Sequence, residues 1–266
     1  MENWELFEND CVKFLNSTFG NSTVEFIGKG KSDSTTSDIE VRINNKHAFL
    51  IEAKMPKAQS GQFVLLLEGN RFIYSPKNKT SENYYTNLIK DYININFDFY
   101  KYVSTAALEI NLPKSYFAEW IKGHYINKGV KYVITAYKNS FVILPINKYD
   151  DYFDVSGNIR RKDSGSTELP KKYINTVQEY FENEHPNPVY FTQKGKKTFL
   201  QSSNEFNKYQ FSVSDVNCQL TFKEDEGKYE VRKLGGRTSN PTVIFSVKCI
   251  KHQDRLDLNM FINSLK

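Results

Sequence analysis

Two carboxylates and a lysine are placed by the sequence at one end of a predicted pair of strands. Asp38 stands directly before an alternating apolar run at 39–43, and Glu52 and Lys54 follow a second apolar run at 47–51. Mg²⁺ prefers oxygen ligands, and a bound Mg²⁺ can polarise a phosphate group and lower the pKa of a water molecule. These residue types at this spacing therefore predict a metal-assisted site that hydrolyses a phosphodiester.

The other members of the predicted site come from neighbouring segments. Glu52 and Lys54 are two residues apart on one strand, so their side chains share a face, and the carbonyl of Ala53 can add a metal ligand. Glu8, on the first predicted helix, can reach the metal directly or through water, and Gln62 can orient the water or a phosphate. Charges at strand ends are usually solvated. Here they end an apolar strand, where free charges are costly unless they work together.

The N-terminal half contains the elements that would hold these groups. Trp4, Phe7, Cys11 and Phe14 recur at helical spacing, whereas the two runs after Asp38 read as a β-hairpin. Helices and strands alternate over this half, which predicts a mixed α/β (α+β) fold, with a central β-sheet flanked by helices. The expected helices are 2–18, 58–68, 83–103 and 112–127, and the expected strands are 24–27, 38–44, 47–54, 130–137 and 141–146.

The composition changes after residue 153. The segment 154–169 is rich in basic and small polar residues and poor in apolar ones, and short β-like runs dominate the C-terminal third of the chain. We therefore expect a catalytic core over residues 1–153 and a β-rich region over residues 154–266 that packs on the core. The elements expected there are a helix at 170–184 and strands at 188–192, 208–213, 217–223, 228–234 and 242–250.

The overall composition favours a globular protein that is able to bind phosphate groups. The 266 residues include 36 Lys and Arg against 31 Asp and Glu, a formal net charge of +5, and the pI is ≈ 8.8. This mild excess permits a nucleic-acid partner without requiring one. The three cysteines form no CxxC pair, and no run approaches the ~18 apolar residues of a membrane span. We expect a protein of the reducing cytoplasm with no membrane partner.

Short motifs in the predicted core carry a family resemblance. The segments 7–8, 37–38 and 52–54 resemble the motifs of the PD-(D/E)xK nuclease superfamily, although Ser37 stands where the name of that superfamily has proline. The likeness to type II restriction endonucleases within that superfamily is more specific, and weaker likeness extends over most of the chain. The closer likeness is carried by the segments Ser32–Ile39, Ile51–Pro56 and Gln59–Leu65.

This resemblance implies an activity, a cofactor and roles for the site residues. It implies a PD-(D/E)xK restriction-endonuclease-like core and a Mg²⁺-dependent endonuclease that cuts both strands of DNA at the short palindrome GCGC. Asp38 and Glu52 would bind the metal, Lys54 would assist the water, and Glu8 and Gln62 would support them. The implied setting is a prokaryotic restriction-modification system, in which a cognate DNA methyltransferase acts on the same site without needing to bind the nuclease. The nuclease would work as a monomer or a homodimer.

The base sequence of the DNA would be read outside this core. Arg or Lys reads guanine in the major groove, and carboxylates or carbonyls read cytosine. Two polar segments offer such groups, and we favour the first, although either can instead be a solvated basic loop that contacts only phosphates. The first segment supplies Arg160, Arg161, Lys162, Ser164 and Ser166. The second supplies Arg232, Lys233, Arg237 and Asn240. Phosphate contacts are expected nearer the catalytic end, from Lys29, Lys31, Ser34, Thr35 and Lys57.

Two other functions fit parts of the sequence. A repair or junction-resolving nuclease can share the same core, but it would not need the long region after residue 153. A non-catalytic DNA-binding protein can be built on a decayed nuclease core, but the intact set of Asp38, Glu52 and Lys54 argues against decay.

Overall fold

The structure is a computed structural model that describes residues 3–29, 37–78, 82–163, 166–185, 187–223, 226–234 and 239–266. The chain divides into two compact units. Unit 1 comprises Met1–Arg161 and Pro241–Lys266, and unit 2 comprises Lys162–Asn240. No helix among the described residues is long and apolar enough to cross a membrane.

The first part of unit 1 runs from an N-terminal helix to a long strand. In chain order its elements are α1 (Asn3–Phe19), β1 (Val24–Gly28), β2 (Ile39–Ile43), β3 (Lys46–Ala53), β4 (Lys57–Glu68), β5 (Arg71–Tyr74), α2 (Tyr84–Ile95), α3 (Phe97–Tyr100), β6 (Leu108–Glu109), α4 (Lys114–Asn127), β7 (Val130–Tyr137), β8 (Ser140–Pro145), α5 (Tyr149–Tyr152) and β9 (Phe153–Asp163). The predicted first helix, the first strand, the hairpin, the strand pair after residue 130 and the helix at 112–127 are thereby confirmed.

Unit 2 is a β-rich unit with one long helix among its described residues, and the chain then returns to unit 1. Its elements are β10 (Ser166–Glu168), α6 (Ile174–Glu184), β11 (Tyr190–Lys194), β12 (Lys197–Gln201), β13 (Gln210–Val213), β14 (Val216–Lys223) and β15 (Lys228–Leu234), followed by β16 (Ser239–Cys249) and α7 (Arg255–Asn263). The sheet of unit 2 has the order β11-β12-β15-β14-β13, with β10 paired to β15. Val177 and Phe181 of α6 share its core with Leu220 and Val231.

The domain boundary differs from the one expected at residues 153 and 154. Residues 154–161 belong to unit 1 because β9 pairs antiparallel with β6. Residues 241–266 belong to it because β16 pairs antiparallel with β4 and α7 packs beside β8. Gln253, just before α7, exchanges hydrogen bonds with the backbone of Ile143 at 2.7 and 2.8 Å. Pairing between strands so far apart in the chain leaves no local signal in the sequence.

The first sheet of unit 1, in the order β1-β2-β3-β7-β8, carries the predicted hairpin at its centre. Strands β2 and β3 are antiparallel, with Ile39 opposite Ile51, and β3 runs parallel to β7. One face packs against α1 and α7 through residues such as Leu15 and Phe261, and the other shares a core with α4. Burial on both faces explains why β3 reads as a continuous apolar run.

The segment 58–68 was predicted as a helix, and that prediction is wrong. It lies within β4, a strand of the second sheet, whose order is β5-β4-β16-β9-β6. The register between β4 and β16 shifts so that Ser60 is an extra residue, a β-bulge. The bulge buries Ser60 and Phe63, three residues apart, before the alternation resumes at Leu65. The helical prediction had placed Phe63, Leu66 and Leu67 on one inward face, but Leu67 is 52% exposed.

Two further predictions about elements need correction. The long helix expected at 83–103 is broken at Asn96, whose backbone (φ −102°, ψ 33°) leaves the helical region between α2 and α3. The segment after residue 153 was not assigned to a strand, but Phe153, Val155 and Ile159 are buried at alternate positions of β9. Strand β9 thus had the period of two in its sequence, which its basic residues obscured.

Candidate active site

The predicted carboxylates and lysine meet where β2 and β3 lie side by side. Asp38 directly precedes β2, and its Oδ2 accepts a hydrogen bond from the backbone N–H of Ala53 at 2.9 Å. Lys54 Nζ lies 2.8 Å from Glu52 Oε1, and the Lys54 backbone N–H donates to the carbonyl of Ile134 on β7 at 2.9 Å. The sheet therefore fixes all three groups in one place, as the sequence predicted.

This cluster is buried and has an excess of negative charge. Burial and the neighbouring charge of Glu52 raise the pKa of Asp38 to about 7, although Lys54 and the Ala53 N–H act in the opposite direction. Burial alone would lower the pKa of Lys54, but Tyr125, Glu52 and Asp38 raise it well above its ordinary value. The Glu52 side chain is 6% exposed, and its Oε2 has no hydrogen-bond partner among the described residues.

The structure brings Glu8 to the edge of this cluster. Glu8 is half-buried on α1. The pKa of Glu8 is raised, mainly by burial. The charge of Lys54 opposes this shift and that of Glu52 adds to it, so Glu8 lies within electrostatic reach of both residues. Within the described part of the chain, no group of three or more His, Cys, Asp or Glu side chains is placed to hold one metal ion. Direct ligation of the metal by Glu8 and support through water therefore both stay predictions.

Gln62 does not lie on a helix, contrary to the prediction. It is an exposed residue of β4, opposite Ile244 of β16, and its Oε1 accepts a hydrogen bond from Gln59 Nε2 at 2.9 Å. Its role in orienting water or phosphate stays a prediction.

A layer of hydroxyl groups beneath Lys54 was missed by sequence reasoning. Lys54 Nζ lies 5.6 Å from the centre of the Tyr125 ring. The Tyr125 hydroxyl donates to the Ser60 carbonyl at 3.2 Å, and Ser60 Oγ lies 2.6 Å from the hydroxyl of Tyr149. These residues come from α4, β4 and α5, and no local pattern connects them.

The expected phosphate contacts of unit 1 fall in different environments. Lys29 Nζ lies 2.6 Å from Glu40 Oε2, and this contact, with that of Arg42, lowers the pKa of Glu40 to about 2. Lys29 therefore forms an ion pair with a carboxylate of its own unit. Lys57, by contrast, is exposed at the start of β4. Lys31, Ser34 and Thr35 lie outside the described residues.

Neighbouring arginines on β9 point to opposite faces, as alternation along a strand requires. Arg161 donates from Nε to the carbonyl of Val103 at 2.9 Å, and its backbone N–H bonds the carbonyl of Ser104 at 2.7 Å. Arg160 is half-buried, and none of the described carboxylates pairs with it. Arg161 therefore has a structural role. The guanidinium group of Arg160 is available to bind DNA.

The candidates in unit 2 are also partly engaged. Arg232 donates to Glu230 Oε1 at 2.7 Å and to the carbonyl of Ser166 at 2.7 Å, which joins β15 to β10. Lys233 Nζ lies 5.5 Å from the ring centre of Tyr173. Lys162 and Asn240 are half-buried and have partners of their own, and Ser164 and Arg237 lie outside the described residues.

Comparison with known proteins finds one solved structure of clear relevance. A structure of HhaI endonuclease in complex with DNA shares 37% sequence identity with this chain, at a TM-score of 0.80, and the match covers 99% of both chains. No protein-family model matches the chain, and no curated protein matches it. Identity at this level over the whole length confirms the restriction-endonuclease-like fold expected from the sequence. The chain belongs to the family of HhaI-like type II restriction endonucleases.

Proposed function

We propose that this protein is a Mg²⁺-dependent type II restriction endonuclease that cleaves both strands of DNA at GCGC. The observation that carries the proposal is the meeting of Asp38, Glu52 and Lys54 at adjacent strands, in a chain of this family. Binding of double-stranded DNA is part of the proposal and is supported by the DNA complex of the related HhaI endonuclease. A cognate methyltransferase belongs to it as well, because a cell must protect its own GCGC sites.

The residues present fit a Mg²⁺ ion. Glu52 Oε2 is buried without a hydrogen-bond partner among the described residues, and two carboxylates share one lysine. An ion that prefers oxygen ligands would use the Asp38 and Glu52 carboxylates and the Ala53 carbonyl. Mg²⁺ usually keeps several waters and takes only one or two carboxylates, so a third acidic ligand is not needed.

Each polar residue of the site has its own role in hydrolysis. A bound Mg²⁺ would supply a polarised phosphate and a more acidic water. Asp38 and Glu52 hold the charge at the strand ends, and the Ala53 N–H fixes the orientation of Asp38. Lys54 places an ammonium group beside them, where it donates hydrogen bonds and stabilises negative charge developing on the phosphate. Glu8 supports this arrangement through water.

A divalent ion is expected to stabilise the protein because it relieves the repulsion between buried carboxylates. With 10 mM Ca²⁺ or Mg²⁺, the melting temperature of the wild type should rise by about 2–5 °C. Asp38→Asn keeps an acceptor for the Ala53 N–H and should lose most of this rise. Asp10→Asn, an exposed position on α1, should keep it. Calorimetry of the three proteins with and without the ion checks this, and an equal rise in Asp38→Asn would contradict the proposed ligand.

Substitutions of Arg232 and Arg160 distinguish an arginine that stabilises the fold from one that reads a base. Arg232→Ala leaves the buried Glu230, whose side chain is 2% exposed, with Lys223 at 3.5 Å as its one cationic partner among the described residues. This should cost about 1–3 kcal/mol of stability. Arg160→Ala should change stability by less than about 0.5 kcal/mol, but weaken binding to a GCGC duplex by about 1–3 kcal/mol if Arg160 reads a base.

Urea unfolding and DNA titration in Ca²⁺ measure the two effects for each variant. If Arg160→Ala weakens binding to all sequences equally and lowers the salt dependence, Arg160 contacts a phosphate. If Arg232→Ala weakens binding without changing stability, its assignment as a structural residue is wrong.

Cleavage of two matched duplexes tests the proposed function. One contains a single GCGC and the other a GGCC of the same composition in the same flanks. With Mg²⁺, we expect both strands of the first to be cut and the second to stay intact. Equal cutting of both would indicate a nuclease of repair or junction type, and binding without cutting would indicate a non-catalytic DNA-binding protein.

A further inference from the structure

The aromatic ring under Lys54 is unusually well fixed. Tyr125 is 2% exposed, and its ring centre lies 5.6 Å from Lys54 Nζ. A cation above an aromatic face is attracted by the ring's negative face, and the attraction grows when water is excluded. The Lys54 side chain is 18% exposed, so this contact is largely shielded from solvent.

The β-bulge of β4 fixes the hydroxyl end of the same tyrosine. The extra residue of the bulge, Ser60, is 1% exposed and turns into the core. Its carbonyl accepts from the Tyr125 hydroxyl at 3.2 Å, and its Oγ lies 3.3 Å from that hydroxyl. Ser60 Oγ also lies 2.6 Å from the Tyr149 hydroxyl. Tyr125 therefore cannot tilt away from Lys54 without breaking this network.

The ion-pair partner of Lys54 has a second proposed role, which its aromatic partner does not share. Its ion pair is with Glu52, the residue proposed to face the metal. A lysine side chain has many rotamers. An ammonium group that is not held in place would stabilise the phosphate charge less well, because small misplacements of a catalytic group lower the rate. The Tyr125 ring is a support that does not depend on the state of Glu52.

We infer that Tyr125 is a positioning residue, which holds the Lys54 ammonium group in place for phosphodiester hydrolysis through its ring face. This inference rests on the proposed function of the site. The β-bulge adds a secondary restraint on the ring, because it brings Ser60 to the Tyr125 hydroxyl.

Three single variants test the inference by rate. Single-turnover cleavage of the GCGC duplex at saturating Mg²⁺ should fall roughly tenfold to a hundredfold in Tyr125→Leu. Tyr125→Phe keeps the ring and should lose only about threefold or less. Tyr100→Leu removes another buried tyrosine of the same core, away from the site, and should also lose about threefold or less. The affinity of all three for the duplex in Ca²⁺ should stay within about twofold of the wild type.

A thermal-melting cycle tests the contact without using activity. The melting temperatures of Tyr125→Leu, Lys54→Met and the double variant are compared with the wild type. We expect the double variant to lose less than the two single losses combined. Additive losses, or a Tyr125→Leu rate equal to that of Tyr100→Leu, overturn the inference. If the wild type cuts no duplex, the proposed function fails, and the melting cycle alone decides whether Tyr125 holds Lys54.

Discussion

Replacement of Glu52 by glutamine is expected to lower the rate of DNA cleavage by at least about a thousandfold. The amide has the shape of the carboxylate but neither its charge nor its affinity for a divalent ion. The variant loses a proposed metal ligand and the negative charge that pairs with Lys54 at 2.8 Å. Stabilisation of transition-state charge by a metal is worth several kcal/mol, and each ~1.4 kcal/mol is tenfold in rate.

The measurement is single-turnover cleavage with Mg²⁺, with DNA affinity measured separately in Ca²⁺. Glu25→Gln, at an exposed position of β1 in the same sheet, serves as the control and should cut at the wild-type rate. Folding of Glu52→Gln is checked by its melting curve, which should have the same shape as that of the wild type. A rate within tenfold of the wild type would mean that Glu52 is not a ligand.

Replacement of Gly61 by alanine is expected to cost about 2–5 kcal/mol of stability. Gly61 follows the bulge residue and has φ +152°, a backbone conformation that residues other than glycine rarely adopt. A Cβ atom there would lie 2.5 Å from Cζ3 of Trp120, a residue 1% exposed between Phe63 and Phe245. Backbone strain and overpacking act together, each worth about 1–3 kcal/mol.

Thermal unfolding should show this loss as a fall of roughly 5–15 °C in melting temperature. Gly69→Ala is the matched control in the turn directly after the same strand, since Gly69 also has positive φ, at +58°, but a Cβ there meets nothing within 4 Å. It should cost only about 1–2 kcal/mol. Equal effects of the two substitutions would show that Trp120 does not constrain β4.

The sequence was sufficient to predict the hairpin that carries Asp38, Glu52 and Lys54, because its signals are local. Asp38, the alternating β2 strand, the apolar β3 strand and the Glu52–Lys54 pair lie within seventeen residues, and the structure brings them together. The wrong helix at 58–68 has an equally local cause. The bulge at Ser60 interrupts the alternation of β4, and the spacing of Phe63, Leu66 and Leu67 is typical of a helix.

The parts that were missed depend on contacts between distant segments. Tyr125 reaches Lys54 only because α4 lies against the face of the sheet that carries Glu52, and Ser60 reaches Tyr125 only through the bulge. The return of β16 to β4 set the true domain boundary. The sequence shows which residues are basic but not which of them bind other groups of the protein. Arg161 and Arg232 were therefore proposed to contact DNA on the same grounds as Arg160.

The central claim is that the site at Asp38, Glu52 and Lys54 cleaves DNA at GCGC. The most direct test is to digest a plasmid of known sequence with Mg²⁺ and sequence every new end, with Glu52→Gln treated in parallel. We predict that all new ends lie at GCGC, on both strands, and that Glu52→Gln produces none. Ends scattered over unrelated sequences, or the same ends from Glu52→Gln, would contradict this claim.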